Sequence, residues 1–160
     1  MRVLLAAFAL LSLVVAAAPH ATALLPSECA QTNGSTAADF AWSPGCVRLT
    51  SGDVVTFGNA DDVLHNARSS LDDNAVFRAL GPLCFQTRDL AEGQTAQVRF
   101  VHDSDGVTAS VRNDDGSWGP VHDCSFAEDP TALAPNDAAI AFKCGIHSTM
   151  TGRIVVTKIG

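Results

Sequence analysis

Phe142-Lys-Cys144-Gly-Ile-His147-Ser-Thr-Met150-Thr-Gly152-Arg-Ile154-Val-Val156 sets a thiol, an imidazole and a thioether within seven residues and follows them with a β-branched run. The apolar approach Ala138 to Lys143 and the run Arg153 to Lys158 read as a closing pair of strands, with the three donor side chains in the turn between them. Two residues separate Cys144 from His147 and two more separate His147 from Met150, so one tight loop can aim all three at a common point. Those are soft-metal donors. Thiolate and thioether sulfur suit Cu(I), imidazole suits both copper oxidation states, and two His and one Cys with a long axial Met form an electron-transfer set. A second imidazole must then come from elsewhere in the chain. His65 is preferred over His102 and His122, because it comes just after the strand-like Val54-Val-Thr-Phe57 and stands where another loop can meet the first. His102 and His122 lie beside Asp103 and Asp123 and read as solvated loop residues. Asp61-Asp62, Asp72-Asp73 and Asp114-Asp115 read as solvated turns.

Outward from this stretch the chain is punctuated by short β-type segments. Cys46-Val-Arg-Leu-Thr50 alternates, Ser51-Gly52-Asp53 turns, and Val54 to Phe57 ends at Gly58-Asn59. Further strands are expected at Thr95 to Val101 and Val107 to Val111, while Asn113 to Asp137, rich in Gly, Pro, Asp and Asn, reads as loop. The fold class is all-β, a small antiparallel or mixed sandwich with a loop-rich insertion before the last strands.

At the other end, Arg2, an apolar run from Val3 to Ala18 and the small-x-small Ala21-Thr22-Ala23 have the form of a cleaved secretory signal over residues 1–23. The rival is an uncleaved membrane anchor, since the run is only slightly short of the roughly 20 residues that span a bilayer. Residues 24–45, rich in Ser, Thr, Asn, Ala and Gly, read as an N-terminal arm, and 46–160 as the folded domain. Asn33-Gly34-Ser35 is a glycosylation sequon. The expected location is extracytoplasmic, with a chain that is soluble after cleavage and monomeric.

Export makes the odd cysteine count informative, because an oxidising compartment pairs thiols. Of five cysteines, Cys144 ends an apolar segment and is the best candidate for the unpaired one. The remaining four allow three pairings among which sequence does not choose; Cys29–Cys46 with Cys84–Cys124 is the pairing expected here. Without Arg2 the chain carries 9 basic and 17 acidic residues, a net charge of −8. Such a surface lacks the phosphate-neutralising patch that nucleic-acid binding needs, and a charge-steered partner should be basic.

These residues resemble the cupredoxins, the plastocyanin-like small blue copper proteins. Gly52 to Asn59 through Leu64-His65-Asn66 is similar to the family's turn, strand and first-ligand element, and Glu92-Gly93-Gln94 through Phe100 to its middle strand. Phe142 to Val156 is similar to its ligand loop and final strand, with amicyanin-type short spacing. The resemblance covers roughly residues 46 to 160. It implies a Greek-key β-sandwich of seven or eight strands holding one type 1 copper. Equatorial ligands would be His65, Cys144 and His147, with Met150 axial. Gly145 and Ile146 depart from the pattern: many members have Ser or Thr after the Cys and Pro before the second His, so a hydroxyl able to bond the Asn66 region is missing.

The function so implied is a one-electron carrier cycling Cu(II)/Cu(I) with a redox partner protein, not an enzyme. The alternatives are a copper-delivery protein without redox traffic and a cupredoxin-like interaction module. A Cys-His hydrolase is a poor alternative, because Cys144 and His147 are too close in sequence for a spatially assembled nucleophile and base and no orienting partner is evident. A copper oxidase or nitrite-reducing enzyme needs further His-rich sites that four mature histidines do not easily build.

Overall fold

The computed structural model describes residues 28–70, 83–125, 128–129 and 134–160. The expected signal segment, residues 24–27 of the arm and Asp72-Asp73 lie outside the described residues. Among those described, no helix is long and apolar enough to cross a membrane.

The sandwich expected from sequence is what the chain builds, with more strands. Eleven are described, in two mixed sheets. β1 (Gly34–Ala38), β2 (Ala41–Ser43), β4 (Val54–Asn59), β6 (Thr95–Asp103), β7 (Gly106–Val111) and β8 (His122–Asp123) form the first, in the order β2-β1-β4-β6-β7-β8. The second runs β3-β11-β10-β5, from β3 (Cys46–Thr50), β11 (Thr151–Thr157), β10 (Asp137–Cys144) and β5 (Ala67–Ser69), with β9 (Glu128–Asp129) also on β10.

Alternation explains the long strands. In β6 every second residue from Ala96 to Phe100 is buried, as a sheet with one covered face requires. β10 is buried nearly throughout because its inner face meets the other sheet and its outer face lies under the Cys29–Cys46 disulfide, which clusters with Ala139 and Val155. Aromatic rings bridge the sheets: Phe57 meets Phe142 edge-on at 5.2 Å and stacks on Phe85 at 5.8 Å, and Trp42 meets Phe142 at 5.5 Å. Such pairs contribute about 0.5–1.5 kcal/mol each beyond their buried area. Gly152 is obligatory in this packing, because it pairs with Phe142 and a β-carbon there would enter the phenyl ring.

One expectation is corrected. From residue 28 onward the stretch taken as an irregular arm is part of the sandwich: Ala30 bridges Val47, β1 pairs in parallel with β4, and β2 folds back on β1. The alternation is present, with Ser35, Ala37 and Trp42 buried, but two of these side chains are too small to register as an apolar pattern. The region before the last strands is loop-rich as expected. Its two short strands pair one with β7 and the other with β10, so each sheet takes one of them. Cys84–Cys124 ties it to the core, and both disulfides have the expected pairing, leaving Cys144 free and buried.

Candidate metal centre

Cys144 ends β10, where the register sets it opposite Ala67 of β5. His65 and Asn66 immediately precede that strand, so the pairing brings residues 79 positions apart to one place. His65 is pinned by its own backbone, exchanging hydrogen bonds with Leu90 (2.7 and 3.1 Å). The loop after Cys144 closes on itself: Met150 donates to the His147 carbonyl at 3.0 Å, and Cys144 donates to the Met150 carbonyl at 2.9 Å.

Three donor atoms converge as a result. Cys144 Sγ lies 3.7 Å from His65 Nδ1 and 3.8 Å from His147 Nδ1, and the two Nδ1 atoms are 3.2 Å apart. Cys144 and His65 are fully buried and His147 is half-buried, with its ring 4.7 Å from that of His65. Donor separations of 3.2–3.8 Å are those of three bonds of about 2.0–2.3 Å to a common centre at near-trigonal angles, so the residues fit a bound metal ion. Met150 is buried in the same core as Cys144. His102 and His122 stand apart from the cluster: His102 Nδ1 faces the Val156 carbonyl at 3.1 Å, and His122 is exposed on β8.

The groups around these donors hold them still. Asn66 Oδ1 accepts the Gly145 N–H at 2.7 Å while its Nδ2 donates to Asp89 at 2.7 Å. The hydroxyl absent after Cys144 is therefore not needed to link the loop to Asn66. The Gly145 backbone makes the link, and a β-carbon at Gly145 would lie 2.8 Å from Asn66 Oδ1. His65 Nε2 is 2.8 Å from Asp61 Oδ2. A carboxylate accepts hydrogen bonds, so this contact fits the ring tautomer with its proton on Nε2 and its Nδ1 lone pair toward Cys144 and His147. Partial burial pushes the Asp61 carboxyl up, but the bonds from the Asp39 and Phe40 amides and from His65, with the attraction of His65, outweigh it and hold the group below the usual carboxylate value.

Asp61 is thus more than the solvated turn residue expected, whereas Asp114 and Asp115 match that expectation, the first on exposed Arg88 and the second on Ser117. The available signal for Asp61 was its spacing four residues before His65. Phe40 also was not foreseen: its ring meets His147 edge-on at 5.1 Å and His65 at 5.9 Å.

No protein-family model matches the chain, and no curated protein matches it. Among solved structures it is similar to a purple cupredoxin from Nitrosopumilus maritimus, at 16% identity and TM-score 0.47 over 79% of this chain and 100% of that one. It is similar to an oxidised amicyanin mutant at 13% identity and TM-score 0.47, covering 83% and 90% of the two chains. A Cu-containing nitrite reductase from Thermus scotoductus SA-01 is similar at 18% identity and TM-score 0.46 over 79% of this chain, which spans only 22% of that enzyme. By its two mixed sheets and the loop between β10 and β11 that gathers His147 with Cys144, the chain has a cupredoxin-like fold.

Proposed function

We propose that the chain is a type 1 copper protein that carries single electrons, and that His65, Cys144, His147 and Met150 are the residues that would hold one copper per chain. The observation that carries this reading is the convergence of one sulfur and two nitrogens from loops 79 residues apart, all within 4.8 Å of one another. Bound copper supplies a one-electron Cu(II)/Cu(I) couple.

The chain's own residues do the rest. Cys144 would hold the metal as thiolate and both imidazoles would hold it as neutral donors. Asp61 and Asn66 fix His65 and the Cys144 loop through hydrogen bonds, which holds the donors in place. His147, the half-buried member of the three, would be the port for an electron in or out. The acidic surface fits a redox partner with a basic face. Two disulfides fit an oxidising, extracytoplasmic compartment, to which the signal segment would direct the chain as a soluble monomer. The role proposed is carrier rather than enzyme.

The test is titration of the mature protein with Cu(II), followed by visible absorption and EPR, beside Cys144→Ser. Stoichiometric uptake with an intense blue thiolate-to-copper band, absent in the variant, is expected. Colourless or Cys144-independent binding would overturn the reading, and ready loss of copper to an acceptor would move it to metal delivery.

A further inference from the structure

The turn between β1 and β2 is built against its own sequence. Ala38 pairs with Ala41, so Asp39 and Phe40 are the two central residues of a hairpin loop, and both have positive φ, 51° and 56°. Turns of this kind favour Asn-Gly or Asp-Gly. Aspartate tolerates the left-handed region, but a bulky phenylalanine there persists only when its surroundings over-determine it, a condition that clusters at functional sites. Core burial is not the reason, because Phe40 is 56% exposed.

What holds the turn is Asp61. Its Oδ1 accepts the Asp39 N–H at 2.8 Å and its Oδ2 the Phe40 N–H at 3.3 Å. The same Oδ2 faces Nε2 of the fully buried His65 at 2.8 Å. Asp61 is itself set in place, since its N–H donates to Asn59 Oδ1, while Asn59 Nδ2 donates to the Val63 and Leu90 carbonyls. Across the turn, the Phe40 ring stands perpendicular to His147 and nearly so to His65.

We propose that Asp61 and Phe40 form one positioning device: a single carboxylate fixes the His65 ring with Nδ1 bare and fastens the strained turn that lays Phe40 over both imidazoles. The purpose assigned to it rests on the copper reading above. The device itself is a property of the metal-free protein. Asp61 accepts three hydrogen bonds on two oxygens, and an asparagine has only one acceptor oxygen. If the amide nitrogen faces His65, the ring must abandon its Nε2–H tautomer; if it faces Asp39, the turn loses its fastening. Asp61→Asn therefore separates a positioning carboxylate from a space-filling one.

Nitrogen-15 NMR of the metal-free wild-type protein is the first measurement, with a His65 Nε2–H protected from exchange and a bare Nδ1 expected. An Nδ1–H tautomer overturns the proposal whatever the variants do. In Asp61→Asn, either the His65 tautomer or the protection of the Asp39 and Phe40 amides should be lost, with copper affinity down about 10–100-fold. If all three are unchanged, the proposal fails. Phe40→Ala removes an exposed ring and tests the cover without risk to the fold: the His65 tautomer should stay and copper removal by a chelator should quicken by about tenfold. An unchanged removal rate overturns the cover. Should wild-type protein take up no copper through Cys144, the copper reading fails while the tautomer and amide results still decide whether the device exists.

Discussion

Asp61 and Asp137 are both partly shielded carboxylates held below their usual pKa by donated hydrogen bonds, and they serve the opposite ends of β10. At the end where the strand begins, Asp137 accepts from Arg48 Nη1 at 2.7 Å and from Thr157 Oγ1 at 2.7 Å, which joins β3, β10 and β11 across one sheet. At the end where the strand finishes, Asp61 accepts from a turn and faces an imidazole, 2.8 Å from a ring whose other nitrogen points into a cluster of donors. The first carboxylate staples strands already adjacent. The second spends its bonds on a strained turn and on the direction of one ring, which adds little to the fold and much to the geometry of a site. Identical chemistry is structural or functional according to what its partners do next.

The comparison can be broken at either end. The largest stability effect is expected at the stapled end, where Arg48→Ala should cost about 1.5–3 kcal/mol, the range for hydrogen bonds to charged groups, and leave the copper spectrum unchanged. The sign of its pH dependence follows from Asp137. Burial works to raise that carboxyl, but Arg48 and Thr157 bonds and the Arg48 and His102 charges lower it, so its folded pKa lies below the unfolded one. Its contribution is present above the unfolded carboxylate value and lost as pH falls through the folded one. Urea titrations from pH 6 down to pH 3 should show the wild type losing its advantage over Arg48→Ala at the acid end; a constant difference would refute the assignment.

A smaller stability cost with a larger functional one is expected for Gly145→Ala. A β-carbon there would lie 2.8 Å from Asn66 Oδ1 and 3.0 Å from Arg68 Cδ, so Asn66 must give way. Asn66 is clamped between Gly145 and Asp89 beside His65, and the accommodation should cost about 1–2 kcal/mol, at the lower end for overpacking. Because the strain falls on the ligand loop, the thiolate-to-copper band should shift as well. A loss of melting temperature without a spectral change would place the strain elsewhere. The smallest effect is expected from Asp114→Asn. The Arg88–Asp114 pair is 2.7 Å long, but both side chains are well exposed, and such pairs contribute about 0–1 kcal/mol. A thermal melt should barely register it.

Much of this molecule was legible in the sequence, but not evenly. The strands from Cys46 to Phe57, Thr95 to Val101, Val107 to Val111 and Ala138 to Lys158 announce themselves by alternation and β-branching, and the structure has strands at each. β1, β2 and β5 do not. Their buried positions are mostly small or polar, Ser35, Ala37, Ala67 and Ser69, so no hydrophobic period reveals them. Phe85 was equally silent, because a lone buried aromatic in a Cys-flanked loop has no neighbouring pattern to declare it core.

The loop Cys144 to Met150 was readable from the chain alone, since three donors spaced by two residues are aimed by local backbone geometry, and Cys144 was already the best candidate for the free thiol. Tertiary structure decided the rest of the site. His65 meets Cys144 because β5 pairs with β10 in one register across 79 residues, and a slip by one residue would turn the alternate side chains to the other face. Asp61 and Phe40 acquire their roles only once the β1–β2 turn is laid against the His65 loop, a contact 21 residues away in sequence. Local spacing can encode a loop. Which distant loop it faces is fixed only when the sheets close over a shared core.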